Sequence, residues 1–222
     1  MKLKGCVTDF NGTLFFDTPL HVSAWNDLSL KLTGHGITAE EMQSRYCGMN
    51  NLETLKELCP GKSESWYVQQ SEEKEREYRD TALSMPGGPH LTPGAEEAFD
   101  WLKAHNVPIA MATASIKANV DFYVSTFHLD RWIAPEHIVY DDGRHSDKIS
   151  MFKEAAASIG CDTSVLIFED SLSGIKGASA LEDARIAVIE SSYLKPIYPE
   201  YPKIIKVMDD FTDMIPLLEE LF

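Results

Sequence analysis

Short apolar runs, separated by stretches of helical periodicity, constrain this chain more than any other feature. They are Leu3–Thr8, Val107–Ala112 (VPIAMA), Val165–Phe168 (VLIF), Arg185–Ile189 (RIAVI) and Ile204–Met208. Strands that are apolar on both faces belong in a parallel sheet covered by helices on both sides. Between them the segment Pro93–His105 predicts a helix. Thr92 supplies its N-cap, Pro93 suits its first turn, and Glu96 and Glu97 sit near the positive end of its dipole. Asn119–Phe127, Ile149–Ile159 and Asp210–Leu221 also have helical periodicity. The alternation predicts an α/β fold, a doubly wound parallel sheet of Rossmann-like type.

Residues from about Leu20 to Leu83 are different. HVSAWNDLSLKL, AEEMQSRYC, NLETLKELC and SEEKEREYRDTALSM are helical in pattern, punctuated by Gly34, Gly36, Pro60 and Gly61. The reading is an all-helical subdomain inserted after the first strand, with Met85–His90 (MPGGPH) as the return linker. The expected division is a core of residues 1–18 and 85–222 and a cap of residues 19–84.

A chain of 222 residues suits one core domain with a small insertion. Net charge is −15, a surface that repels nucleic-acid phosphates and anionic lipid, so neither nucleic acid nor membrane is expected as a partner. Cys6, Cys47, Cys59 and Cys161 form no CxxC pair and no zinc pattern, and read as reduced thiols of a cytoplasmic protein. Asp9 and Asn11 interrupt any apolar leader segment at the start. No stretch approaches the roughly 18 apolar residues of a membrane span.

Four short segments carry the chemistry. Asp9-Phe10-Asn11-Gly12-Thr13 follows the first apolar run directly, and ligands of parallel sheets bind at the carboxyl ends of strands. Gly12 permits a sharp turn, and successive N–H groups over Phe10, Gly12 and Thr13 can cradle a phosphate. Thr113-Ala114-Ser115 ends the second run, with a hydroxyl and amides able to bond phosphate oxygens. Lys148 can neutralise a phosphate and an attacking carboxylate together. Glu169-Asp170 ends the third run, and two adjacent carboxylates at a strand end suit Mg²⁺, which takes hard oxygen ligands.

The order Asp-x-x-Gly-Thr, strand-end Thr, Lys, strand-end Glu-Asp resembles the haloacid dehalogenase (HAD) superfamily. The helical insertion, the LTPGAEEAFDWLK and FEDSLSGIKGA stretches and His21-x-x-Ala24-Trp25 resemble its beta-phosphoglucomutase-like, helical-cap class. The resemblance implies Asp9 as nucleophile, forming an aspartyl-phosphate. It implies Mg²⁺ held by Asp9, the Asn11 main-chain carbonyl and Asp170, with Glu169 in support, and Thr113 and Lys148 gripping the phosphoryl group. In the cap, His21, Lys74, Gly48 and Asn51 match positions that contact substrate. The expected partner is a small phosphorylated metabolite such as a sugar phosphate.

The chain departs from that pattern at three points. The second acidic residue of the first motif is Asn11, and an amide exchanges no proton at neutral pH, where acid–base help is worth roughly 10²–10⁴ in rate. The segment around Lys148 is shorter and lacks two prolines, which leaves Lys153 as an alternative. Asn51 stands where relatives carry a cationic cap residue. A phosphatase is therefore expected. The alternatives are a weakly active or non-catalytic domain that binds a phospho-ligand, and a beta-phosphoglucomutase-like mutase. Oligomeric state is not legible.

Overall fold

The computed structural model describes residues 2–46 and 49–222. Two compact units emerge, one of residues 1–16 and 90–222 and one of residues 17–89. The sequence reading placed these boundaries at 18/19 and 84/85.

The first unit is a six-stranded sheet in the order β3-β2-β1-β4-β5-β6, with every pairing parallel. The strands are β1 (Gly5–Thr8), β2 (Ile109–Ile116), β3 (Ile138–Asp141), β4 (Val165–Glu169), β5 (Arg185–Ile189) and β6 (Ile204–Met208). That order is the doubly wound Rossmann arrangement, in which the chain leaves β1 on one side and returns on the other. β1 and β4 are buried throughout, because helices cover both faces. Val7, Ala110, Ile167, Ile186 and Val188 pack with Phe152, Ala155, Ile175 and Ala178 in one core cluster.

β3 is a strand that the apolar runs did not reveal. It lies at a sheet edge and is only partly buried, and its apolar run is three residues, Ile138–Tyr140, between His137 and Asp141, too short to stand out. β2 runs four residues beyond Ala112, with a break in register against β3 between Ala112 and Ile116.

The helices of this unit are α5 (Ala95–Ala104), α6 (Lys117–Phe127), α7 (Lys148–Ser158), α8 (Leu172–Ser179) and α9 (Ile215–Leu221). The last starts five residues later than its periodicity suggested. Residues before it turn instead, with the Thr212 amide donating to Asp210 Oδ1 at 2.8 Å, and Pro216 favours a start beside it.

The second unit is helical, with no strand among its described residues. It comprises α1 (Thr18–Thr33), α2 (Ala39–Glu41) running into a π-helical turn over Met42–Tyr46, α3 (Asn51–Leu58) and α4 (Glu64–Leu83). Asn50 and Glu53 close a capping box on α3, and Ser63 caps α4. Trp25, Leu28, Ile37, Tyr46, Leu55 and Tyr67 form its apolar core.

Candidate active site

Asp9 follows β1 directly. The pairs Thr8↔Met111 and Thr8↔Phe168 set the next residue level with Ala112 on one side and Glu169 on the other. The Asp9 amide donates to the Phe168 carbonyl at 3.0 Å, so the ladder holds the backbone up to the carboxylate. Asp9, Glu169 and Asp170 each offer an oxygen within 4.8 Å of the others. Asp9 and Glu169 are buried, and Asp170 is half-buried.

Lys148 reaches this cluster from the first residue of α7. Asp147 caps that helix by accepting from the Ser150 amide at 2.8 Å. The Lys148 ammonium donates to Asp9 Oδ1 at 2.5 Å and to the Ala112 carbonyl at 3.2 Å, and lies 3.1 Å from Glu169 Oε1. Lys153, the alternative from sequence, is exposed. Burial pushes the Asp9 carboxyl up to about 7, opposed by Lys148 and reinforced by Glu169. Burial works against the Lys148 charge as well, yet the Asp9 and Glu169 carboxylates outweigh it and hold the ammonium above its ordinary range.

Glycines make room for the charged groups. A Cβ on Gly12, whose φ is +72°, would lie 2.1 Å from Asp170 Oδ2. A Cβ on Gly174 would lie 1.7 Å from Glu169 Oε1, and one on Gly177 2.9 Å from Lys148 Cβ. The other Glu169 oxygen accepts from the amides of Asp170 at 2.7 Å and Ser171 at 2.6 Å. That fixes the carboxylate beside Lys148.

The turn after Asp9 uses several of its own amides. Gly12 N–H donates to the Phe15 carbonyl at 2.8 Å, and Thr13 N–H to the Phe10 carbonyl at 3.2 Å. These two groups, expected to cradle phosphate, serve the turn. The Phe10 amide bonds the Asp9 carboxylate, and the Phe10 ring is wholly buried. Thr13 Oγ1 lies 3.4 Å from Asp170 Oδ1.

Thr113 and Ser115 are buried and Ala114 is exposed. All three lie within the irregular end of β2 rather than in a helical turn. The Ser115 amide donates to Thr113 Oγ1 at 3.2 Å. Both hydroxyls, with that of Tyr123, surround the Asn11 side chain. Tyr123 was missed in the sequence, because a tyrosine on the buried face of a helix reads as core.

The helical unit gathers the remaining candidates around Lys74, which is 2% exposed. Its ammonium donates to Glu75 Oε1 and to His21 Nδ1, each at 2.8 Å. It also lies over the rings of Trp25 and Tyr78. Asn51 Nδ2 donates to Glu75 Oε1 at 2.6 Å and Ser71 Oγ at 3.1 Å. His21 stacks on Tyr78, whose hydroxyl donates to the buried Asp17. Lys74 is thus neutralised by Glu75, a partner that the sequence reading did not assign to it. Gly48 lies outside the described residues.

The cluster at Asp9 fits a divalent cation. Three carboxylates converge where Lys148 supplies one positive charge, and hard carboxylate oxygens are the donors Mg²⁺ takes.

The haloacid dehalogenase-like hydrolase family matches residues 3–181. No curated protein matches the sequence. Among solved structures, the chain is similar to a HAD hydrolase, family IA, variant 3, from Entamoeba histolytica. The identity is 26%, covering 98% of this chain and 100% of that one, with a TM-score of 0.86. Beta-phosphoglucomutase from Clostridium difficile aligns at 18% identity over 98% and 96% of the two chains, TM-score 0.79. A mutant CbbY from Rhodobacter sphaeroides, in complex with xylulose-(1,5)bisphosphate, aligns at 17% over 95% and 96%, TM-score 0.78; these two likenesses speak for the fold. The match across most of the chain, on a sheet whose strand ends bring Asp9, Glu169 and Asp170 together with Lys148 of α7, makes this protein a member of the haloacid dehalogenase-like hydrolase family.

Proposed function

We propose that the chain is a Mg²⁺-dependent phosphatase acting on a small phosphorylated metabolite, such as a sugar phosphate. The observation that carries this reading is the convergence of Asp9, Glu169 and Asp170 within 4.8 Å, with Lys148 bonded to Asp9. Phosphoryl transfer depends on alignment and charge neutralisation more than on elaborate covalent chemistry. Asp9 attacks phosphorus, the ester P–O bond breaks, and the leaving alkoxide takes a proton from water. A second water, giving a proton to the hydroxide left behind, then attacks the phosphorus of the aspartyl-phosphate, releasing phosphate and restoring the Asp9 carboxylate. Lys148 offsets the charge that gathers on the phosphoryl oxygens, and Thr113 donates to one of them. Asp9, Asp170 and the Asn11 main-chain carbonyl, with Glu169 in support, would hold Mg²⁺, which when bound would supply further neutralisation.

The second reading is a domain that binds a phospho-ligand without turning it over. It is favoured by Asn11, an amide where an acid–base carboxylate is expected. Phosphate release from a panel of phosphometabolites, with Mg²⁺ and with chelator, separates the two. Mg²⁺-dependent release that vanishes in Asp9→Asn supports the phosphatase. No release from any ester, with Mg²⁺-dependent binding of beryllium fluoride retained, supports the binding domain.

A further inference from the structure

The Asn11 side chain is engaged at both ends. Its Nδ2 donates to the Tyr123 hydroxyl at 2.8 Å, and its Oδ1 accepts from Ser115 Oγ at 2.7 Å and from Thr113 Oγ1 at 3.3 Å. Ser115 Oγ and the Tyr123 hydroxyl are 3.0 Å apart. Counting protons assigns the directions among these four groups. An amide oxygen only accepts, so the single hydroxyl hydrogen of Ser115 goes to Asn11. The contact between Ser115 and Tyr123 must then use the Tyr123 hydrogen. Asn11 donates to Tyr123, Tyr123 to Ser115, and Ser115 to Asn11, closing a ring of one sense. Such bonds polarise one another. A carboxylate at position 11 has no donor and would draw both hydroxyl hydrogens, so an amide is what closes this ring. The ring is firmly anchored, because Tyr123 is wholly buried and stacks on Phe10 at 3.8 Å with 13° between the planes.

We propose that Tyr123 and Ser115 are positioning residues for phosphoryl transfer, holding the Asn11 amide so that the Thr113 hydroxyl is left to turn toward a phosphoryl oxygen. The proposal rests on the phosphatase reading, through the role given there to Thr113. Asn11 Oδ1 already has its short bond from Ser115, so the longer bond from Thr113 is the one that yields. Thr113 Oγ1 meanwhile accepts from the Ser115 amide, which anchors the oxygen while its hydrogen rotates. Neither Tyr123 nor Ser115 needs to touch substrate. Ser115, read from the sequence as a substrate-binding position, has its hydroxyl committed to Asn11.

The test is a double-mutant cycle on p-nitrophenyl phosphate with Mg²⁺, using Tyr123→Phe, Ser115→Ala, the double variant and Ser115→Thr, which keeps the hydroxyl. Each single removal should lower kcat/KM roughly tenfold, the scale of hydrogen bonds lost from a buried network. The double variant should cost no more than the worse single, because both break the same ring, and Ser115→Thr should restore activity. Unchanged single variants, or losses that multiply in the double, would overturn the proposal. Wild type without turnover of this ester or of any phosphometabolite in the panel refutes the phosphatase reading. The same four variants are then read by Mg²⁺-dependent beryllium fluoride affinity, with the same pattern expected. Wild type that neither turns over nor binds beryllium fluoride overturns both.

Discussion

At Asp170 the turn after β1 and the end of β4 meet so closely that residue choice at both is restricted. The Gly12 Cα faces the Asp170 carboxylate with no room for a Cβ. Asp170→Asn removes one carboxylate of the three while keeping the shape. It should abolish Mg²⁺-dependent phosphate release with little change in unfolding temperature in chelator, as activity and melting curves would show. Gly174→Ala tests the same site from the other side. The added methyl collides with Glu169 Oε1, and overpacking of this kind costs about 1–3 kcal/mol. Denaturant unfolding should show that loss, together with reduced turnover as Glu169 leaves Lys148. Wild-type stability and activity in that variant would mean that Glu169 has another place to go.

Among the elements, α8 shows why some structure was not legible. LSGIKGAS contains two glycines and reads weakly as a helix. It forms one because Ser171 caps it and because its two glycines let Glu169 and Lys148 pack against it. The same tertiary logic governs α4, whose sequence shows a charged helix but not that Lys74 and Glu75 are both buried. Burial disfavours the Glu75 carboxylate, yet Lys74, His21 and the hydrogen bonds from Lys74 and Asn51 outweigh it and draw its pKa down to about 2. A carboxylate lowered on folding from 4.5 to about 2 contributes about 3 kcal/mol at neutral pH. That contribution is complete above about 4.5 and is lost as pH falls toward 2. Glu75→Gln should therefore be less stable at pH 7, since it leaves the Lys74 ammonium buried without its carboxylate, a loss of about 3–5 kcal/mol. Its stability should also fall less between pH 5 and pH 3 than that of wild type. Thermal unfolding across that range, followed by circular dichroism, checks both. Parallel acid limbs in the two proteins would remove Glu75 from the balance.

For the molecule as a whole, a ligand that binds only the folded core must raise its stability. Mg²⁺ at a hundredfold excess over its dissociation constant adds about 2.7 kcal/mol. At roughly 2–4 °C per kcal/mol for a chain of this size, the melting transition should rise by about 5–10 °C. The rise should be absent in Asp170→Asn. Calorimetry with Mg²⁺ and with chelator measures it, and an equal rise in that variant would place the ion elsewhere. The described helices include none long and apolar enough to cross a membrane.

The amino-acid sequence by itself determined β1, β2, β4 and β5, because nearly complete burial leaves an unbroken apolar run, β6, which is apolar although half-exposed at the sheet edge, and the helical nature of the insertion, because its periodicity is local. It also placed Asp9, Thr113, Glu169 and Asp170 in β1, β2 and β4 or just beyond them, since a motif that follows an apolar run is read without knowing what lies beside it. Tertiary structure decided the rest. The strand order, the edge strand β3 and the contact of Lys148, rather than Lys153, with Asp9 depend on which elements become neighbours. So does the fate of polar side chains. Asn11 reads as a missing acid in sequence and becomes a link in a hydrogen-bonded ring only when β2 and α6 bring Ser115 and Tyr123 to it. A hydrogen bond spanning more than a hundred residues leaves no periodic trace in the chain.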